Sequence, residues 1–298
     1  MILLVGATGR LGGMIAHQLL AQGKAVRVLL RQNSPSAELA DRGMATSAQA
    51  LVAAGAQAVY GDLKERASLD PACAGVDTVI TTANAAMRGG DDTFESVDHN
   101  GAQNLIDAAK AAGVRHLIYT SAYGSHPDHP HPLFRAKGIS EAALRASGLT
   151  YTILKPGPFM EGWIGTIIGL PLQAGQPVTL VGEGARKQAF VAMRDVVAYA
   201  VAAVDNPTAY NQEIAISAAP PYSWTEAVAA VERATGQTIA VCYVQPGEPI
   251  PLVPPTMGAI LAALERADSI IEMTTMAADL RDRANLRRFF AQQRFGKR

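Results

Sequence analysis

Two cysteines in 298 residues, Cys73 and Cys242, cannot build a disulfide framework, and their separation matches no metal-binding spacing. An excess of one charge is lacking too. The 26 Lys and Arg balance 26 Asp and Glu, so no global field selects a nucleic acid or an acidic partner. Long apolar runs are missing: stretches such as residues 196–204 are too short to cross a bilayer. Met1 leads directly into ILLV, with no basic segment ahead of an apolar signal core. These absences set the expectation of a cytoplasmic protein, monomer or homodimer, that engages neither nucleic acid nor membrane. With 49% of its residues apolar, the chain has the material for one large α/β domain or for a large and a small one.

What is present is an alternation. Short β-branched runs (Ile2–Val5, Ala25–Leu30, Ala58–Tyr60, Thr78–Thr81, His116–Thr120, Thr150–Leu154) are separated by helical patterns at Leu11–Gln22, Ser47–Ala54, Glu65–Cys73, Phe94–Ala112 and Phe134–Ser147. Several of these helices run into a glycine (Gly23, Gly55, Gly113, Gly148), the residue that best tolerates a left-handed stop. The pattern predicts an α/β fold of Rossmann type: a doubly wound parallel sheet over residues 1–155, then a smaller C-terminal α/β lobe over 156–298 with strands returning to the main sheet. Beyond Pro156 the rhythm breaks into Pro- and Gly-rich clusters. The closing RDRANLRRFFAQQRFGKR reads as a solvated basic helix, with polyanion binding as the lesser reading.

The opening MILLVGATGRLGG places Gly6, Gly9 and Gly12 at the junction of the first strand and first helix. A plain glycine turn is one reading. A dinucleotide site is the stronger one, because a pyrophosphate there meets the free N–H groups and partial positive charge of a helix N-terminus. Gly6 would make the turn, Gly9 admit the phosphates and Gly12 let the helix pack closely; Thr8, Arg10 and Leu11 lie in the same loop. The second strand ends at Arg31 rather than at an acidic residue. An acid there would bind a ribose 2′-hydroxyl, whereas a guanidinium accommodates a 2′-phosphate. NADP(H) is therefore expected over NAD(H), with Arg10 as a second candidate for the phosphate and the part of Arg42 left open.

The strings GATGRLGG, LLRQ, YGDL, NLIDAAKAAGVRHLIYTSAYG and LKPGPFMEGW together resemble the NmrA-like group of atypical short-chain dehydrogenases/reductases, nearest its NADPH:quinone oxidoreductase-like and triphenylmethane reductase-like members. The likeness is strong over the first 165 residues and looser through YSWTEAVAAVERATGQTIAVCYV. It implies that Asp62 faces the adenine beside Leu63, that Thr82, Ala83 and Asn84 line the adenine-side ribose, and that Pro156, Gly157, Pro158 and Phe159 cover the nicotinamide. Taken alone, Asp62 reads equally well as a helix N-cap, and Pro156–Pro158 as an ordinary loop.

Short-chain reductases usually pair Tyr and Lys as YxxxK on one helix face, so that the lysine lowers the phenol's pKa. Here Lys137 stands in such a place, but four residues earlier is Leu133, and the tyrosine is missing. Lys137, Ser121 and Tyr123 are the candidate catalytic residues. Lys137 would hold the nicotinamide ribose and set positive charge near the site. Phe159, Met160 and Trp163 form either an apolar platform for a flat substrate or lobe-packing core. His126, His129 and His131 share a Pro-rich loop that reads as a substrate-side lid with one imidazole as proton donor, rather than as a metal site. His99 and Asn100 read as packing. Two functions stay in view: an NADP(H)-dependent reductase of a small conjugated or aromatic acceptor, and a non-catalytic redox sensor that binds NADP(H).

Overall fold

The computed structural model describes residues 1–32, 46–86, 90–217 and 220–271. Arg42 and the basic stretch 281–298 lie outside the described residues. The chain divides into two compact units, Met1–Lys155 with Val196–Ile214, and Pro156–Asp195 with Ala215 onward.

The first unit is built on a seven-stranded sheet, which makes it a Rossmann-like α/β fold. The strands are β1 (Ile2–Val5), β2 (Val26–Leu30), β3 (Gln57–Tyr60), β4 (Thr78–Thr81), β5 (His116–Thr120), β6 (Thr150–Pro156) and β8 (Gln212–Ile216), in the order β3-β2-β1-β4-β5-β6-β8. From β3 through β6 every pairing is parallel. β1, β4 and β5 are buried along their whole length, which suits their largely apolar sequences ILLV, TVIT and HLIYT: helices cover both faces. The chain winds outward from β1 to β3, then returns to the other side of β1 for β4. Neighbouring connections leave in opposite directions there, which opens a crevice at the carboxyl ends of β1 and β4.

The second unit holds a two-stranded parallel sheet of β7 (Val178–Val181) and β9 (Val241–Val244). Its core gathers Ile164, Ile167, Val228 and Val231 around Trp224 and Phe190, whose rings meet edge to face at 5.1 Å. Helix Trp224–Thr235 starts on a reciprocal cap, Ser223 with Glu226. In this unit Gly157 donates its N–H to the Ile216 carbonyl, and a Cβ on it would sit 1.9 Å from the Ala189 carbonyl oxygen. Close backbone packing thus demands glycine at that position. Met160 is fully buried in the same core and Trp163 packs against it, so the lobe-packing reading describes Met160. Phe159 precedes helix Met160–Ile164 and forms a bridge with Val191.

One buried group gives the first unit a pH dependence. The Thr152 hydroxyl donates to the Ala209 carbonyl at 2.6 Å, so it must accept from His116 Nε2, 2.8 Å away. The proton therefore sits on Nε2, and Nδ1 is buried without a partner. Burial pushes the His116 pKa down to about 4 from 6.5, with the Asp205 charge opposing weakly. A depressed imidazole favours the fold while it is neutral, so its stabilisation is complete above pH 6.5 and fades as pH falls toward 4. The loss should reach about 2 kcal/mol at pH 5. Urea unfolding at pH 7.5 and pH 5 measures it, and His116→Gln should flatten the difference.

Candidate dinucleotide-binding site

β1 ends in the glycine loop. Gly6 has φ +86°, a conformation that β-carbons disfavour, and a Cβ on it would lie 2.7 Å from Thr82 Oγ1 and 2.9 Å from the Ala83 nitrogen. The loop therefore presses against the start of the β4 loop, and the Thr82 N–H closes that contact on the Val5 carbonyl at 3.0 Å. Gly12, one turn into helix Arg10–Ala21, lies against the same bend: its Cβ would come 2.2 Å from the Gly6 carbonyl oxygen. Gly9 differs from both. It is the helix N-cap, in extended backbone open to any residue, and it is exposed, with only the Gly6 carbonyl within 4 Å of a Cβ, at 3.2 Å.

No side chain caps this helix, and its first turn carries no acidic residue. The first-turn N–H groups have no intrahelical acceptor, and together with the helix dipole they favour an anion. The bend, the bare N-cap and the uncapped turn form a cradle that fits a pyrophosphate. Thr8 contributes a backbone contact, its carbonyl accepting from the Thr46 N–H at 2.8 Å. Arg10 is the first helical residue, and Leu11 is buried behind it.

Beside the cradle a cavity is lined by Val5, Gly6, Thr8, Leu29, Arg31, Gly61, Asp62, Leu63, Ala83 and Val97. It is bounded by the carboxyl ends of β1 to β4, and its lining mixes apolar Val5, Leu29, Leu63, Ala83 and Val97 with polar Thr8, Arg31 and Asp62. Asp62 is not the N-cap of the following helix, Arg66–Cys73, whose N-cap is Glu65. Its Oδ1 instead accepts the Lys64 N–H at 2.9 Å in a local turn, while its own N–H is held by Ser68 Oγ. Arg31 is ion-paired to Asp92 at 2.7 Å, and Lys64 reaches the other oxygen of the same carboxylate at 2.8 Å. Asn84 is exposed at the rim, its amide oxygen accepting from the Ala86 N–H.

Lys137, in helix Pro132–Ala146, is buried with its aliphatic stem. Its Nζ donates to the Thr120 carbonyl at 3.1 Å, lies 3.3 Å from Asp98 Oδ1, and stands 5.2 Å from the centre of the Tyr119 ring. Burial opposes its charge, but Tyr119 and Asp98 outweigh that and hold its pKa above the usual value. Asp98 is the residue that sequence reasoning missed. Its other oxygen accepts the Ala85 N–H at 2.9 Å, and its carbonyl accepts from Ser140 Oγ at 2.7 Å. One side chain thus ties the loop after β4 to the lysine helix.

The Ser121 hydroxyl donates to Glu141 at 2.6 Å, deep in the unit, where Arg145 and Lys155 also reach that carboxylate. Its proton is spent inside the protein, which corrects the expectation of a serine donating to substrate. Tyr123 is partly exposed just past β5. Burial pushes the Tyr119 phenol up, with the Lys137 charge opposing, so Tyr119 is a poor proton donor despite its place beside the lysine.

The three loop histidines act locally. Nδ1 of His126, His129 and His131 each accepts the N–H two residues on, from Asp128, His131 and Leu133, and the last of these caps the lysine helix. Among the described residues no group of three His, Cys, Asp or Glu side chains is placed to share a metal ion. Burial, with the neighbouring His129 and Arg135, lowers the His131 pKa. His99 pairs with Glu95 one turn away, and Asn100 is exposed.

The NmrA-like family model matches residues 1–279. An NAD(P)H azoreductase of Xenophilus azovorans is 30% identical over 239 residues, which cover 80% of this chain and 75% of that protein. The photosystem II assembly factor Ycf39 of Cyanophora paradoxa is 30% identical over 243 residues, 82% of this chain and 71% of the factor. Among solved structures, the NADPH-dependent quinone oxidoreductase of Escherichia coli complexed with NADPH superposes with a TM-score of 0.75 at 20% identity, covering 98% of this chain and 99% of that one.

Proposed function

The chain belongs to the NmrA-like family, and from that premise we propose that it is an NADP(H)-dependent reductase of a small, flat, conjugated or aromatic acceptor such as a quinone, enone or imine. The observation that carries the reading is the uncapped helix behind Gly6, Gly9 and Gly12, opening beside a cavity that a guanidinium borders. Gly9 and the first-turn N–H groups hold the diphosphate, and Asp62, Leu63, Thr82, Ala83 and Asn84 hold the adenosine half. Arg31 selects the 2′-phosphate. Pro156, Gly157, Pro158 and Phe159 cover the nicotinamide, with Phe159 and Trp163 toward the acceptor. When bound, the coenzyme supplies hydride.

Lys137 carries the positive charge of the reacting centre and holds it at neutral pH, because Asp98 and Tyr119 keep the ammonium protonated. With Leu133 in place of the usual tyrosine, the phenol beside Lys137 is Tyr119, which burial makes a poor acid. The acceptor classes named here suit that arrangement, since their conjugation spreads the charge left by hydride and a solvent proton completes the reduction. The azoreductase relative is itself an NAD(P)H enzyme by name.

A second reading, a sensor that binds NADP(H) without turnover, is favoured by the commitment of the Ser121 proton to Glu141 and by a relative that is an assembly factor. Purified protein, NADPH and a panel of quinones and azo dyes separate the two. The reductase should consume nicotinamide absorbance steadily, on the order of 1–10 turnovers per second with its best acceptor. Binding without turnover across the panel assigns the protein to the sensor class.

A further inference from the structure

Asp92 lies 61 residues from Arg31 in sequence, yet its carboxylate occupies the guanidinium at the end of β2. Each oxygen serves a different cation: Oδ2 takes Arg31 Nη1 at 2.7 Å, and Oδ1 takes Lys64 Nζ at 2.8 Å. The Asp92 side chain is only 8% exposed, whereas Arg31 and Lys64 are each 32% exposed. Arg31 also lines the cavity, together with Asp62 and Leu63. The acid is therefore more deeply buried than the two cations it bridges, each of which keeps about a third of its side chain exposed. Two oxygens bridging an arginine and a lysine reproduce the contacts that a phosphate would make there.

We propose that Asp92 is an internal stand-in for the coenzyme's 2′-phosphate and a determinant of coenzyme choice, an inference that rests on the coenzyme reading above. With Asp92 in place, the three side chains present one net positive charge instead of two. An incoming 2′-phosphate must compete with Asp92 for Arg31 and Lys64, while a coenzyme with a free 2′-hydroxyl leaves the bridge undisturbed. The preference for NADP(H) over NAD(H) is thereby narrower than a bare arginine at that position implies. Lys64 becomes the second phosphate cation, a part the sequence reading offered to Arg10.

The test uses 2′,5′-ADP and AMP as probes, titrated calorimetrically into wild type and Asp92→Asn. The asparagine keeps the shape and one acceptor but removes the charge. Affinity for 2′,5′-ADP should rise about tenfold and that for AMP should move less than twofold, since one unit charge a few ångströms away is removed from only one of the two ligands' balance. The gain should shrink with added salt. In Lys64→Met, Asp92 falls wholly to Arg31, and 2′,5′-ADP should weaken with AMP unmoved. Equal changes for both probes, or weaker 2′,5′-ADP binding in Asp92→Asn, overturn the role of Asp92 while leaving coenzyme binding intact. If neither probe nor NADPH binds wild type, the coenzyme reading falls and takes this inference with it.

Discussion

Alanine at Gly9 is expected to leave the protein folded and to weaken NADP(H) roughly 10- to 100-fold, whereas alanine at Gly12 is expected to damage the fold itself. The two glycines are three residues apart in one motif, but their surroundings differ. At Gly9 the backbone is extended and a Cβ meets only the Gly6 carbonyl, at 3.2 Å. An N-cap change from glycine to alanine then costs about 1 kcal/mol or less. If the proposed diphosphate site is occupied there, the new methyl projects toward it, so the loss falls on binding. At Gly12 the Cβ would lie 2.2 Å from the Gly6 carbonyl oxygen and 2.9 Å from Thr82 Oγ1. The nearer atom is backbone, fixed by β1 and by the turn at Gly6, and cannot rotate away. Alanine's helix propensity returns about 1 kcal/mol, but separating the helix from the bend costs several times that. Thermal melts with and without NADP(H) discriminate: Gly9→Ala should keep the apo midpoint and lose most of the ligand-induced rise, while Gly12→Ala should lower the apo midpoint.

The parts of this architecture that could be read in advance are those whose signal is local. β1, β4 and β5 are buried on both faces, and each carries a short apolar or β-branched run, ILLV, VI and LIY, that marks its centre. Helix ends coincide with Gly23, Gly55, Gly113 and Gly148, all at positive φ. The partnerships around the charged groups were not local. Asp92 meets Arg31 and Lys64 across 61 and 28 residues, and no spacing rule connects them. Asp98 did carry a signal. It shares the buried stripe of Val97, Gly101, Ala102 and Leu105, and a carboxylate on an apolar stripe demands a buried partner. Nothing in the sequence named Lys137 as that partner. The segment Phe94–Gly101 is wound as a π-helix, wider than the 3.6-residue period assumed in reading it. Glu141, buried beside Lys137 and Ser140, is the same kind of signal on the next helix, and it explains why Ser121 points inward.

Removing Asp98 should cost about 3–5 kcal/mol at neutral pH, the scale found when one member of a buried ion pair is deleted. The side chain answers two groups at once: the Lys137 ammonium at 3.3 Å and the Ala85 N–H at 2.9 Å. In Asp98→Ala the ammonium remains buried with the Thr120 carbonyl as its hydrogen-bond acceptor. Burial, which already opposes the charge, is then offset only by Tyr119, a phenol that burial itself keeps neutral at pH 7. The pH dependence has a definite sign. In wild type the folded pKa of Lys137 is raised above 10.5, so its stabilisation is present at neutral pH and is lost only as pH climbs through that raised value. In the variant the folded pKa drops below the unfolded one, so stability should instead improve as pH rises toward 10. The gap between the two proteins is therefore widest near pH 7 and closes in alkali. Denaturant unfolding at pH 7 and pH 9.5 reads this directly. Adding Lys137→Met to Asp98→Ala should recover much of the lost stability, because no buried charge is left without its counterpart. On the role proposed for Lys137, it should recover no reductase activity. A double variant no more stable than Asp98→Ala would mean that the lost Ala85 contact, rather than the stranded ammonium, governs the effect.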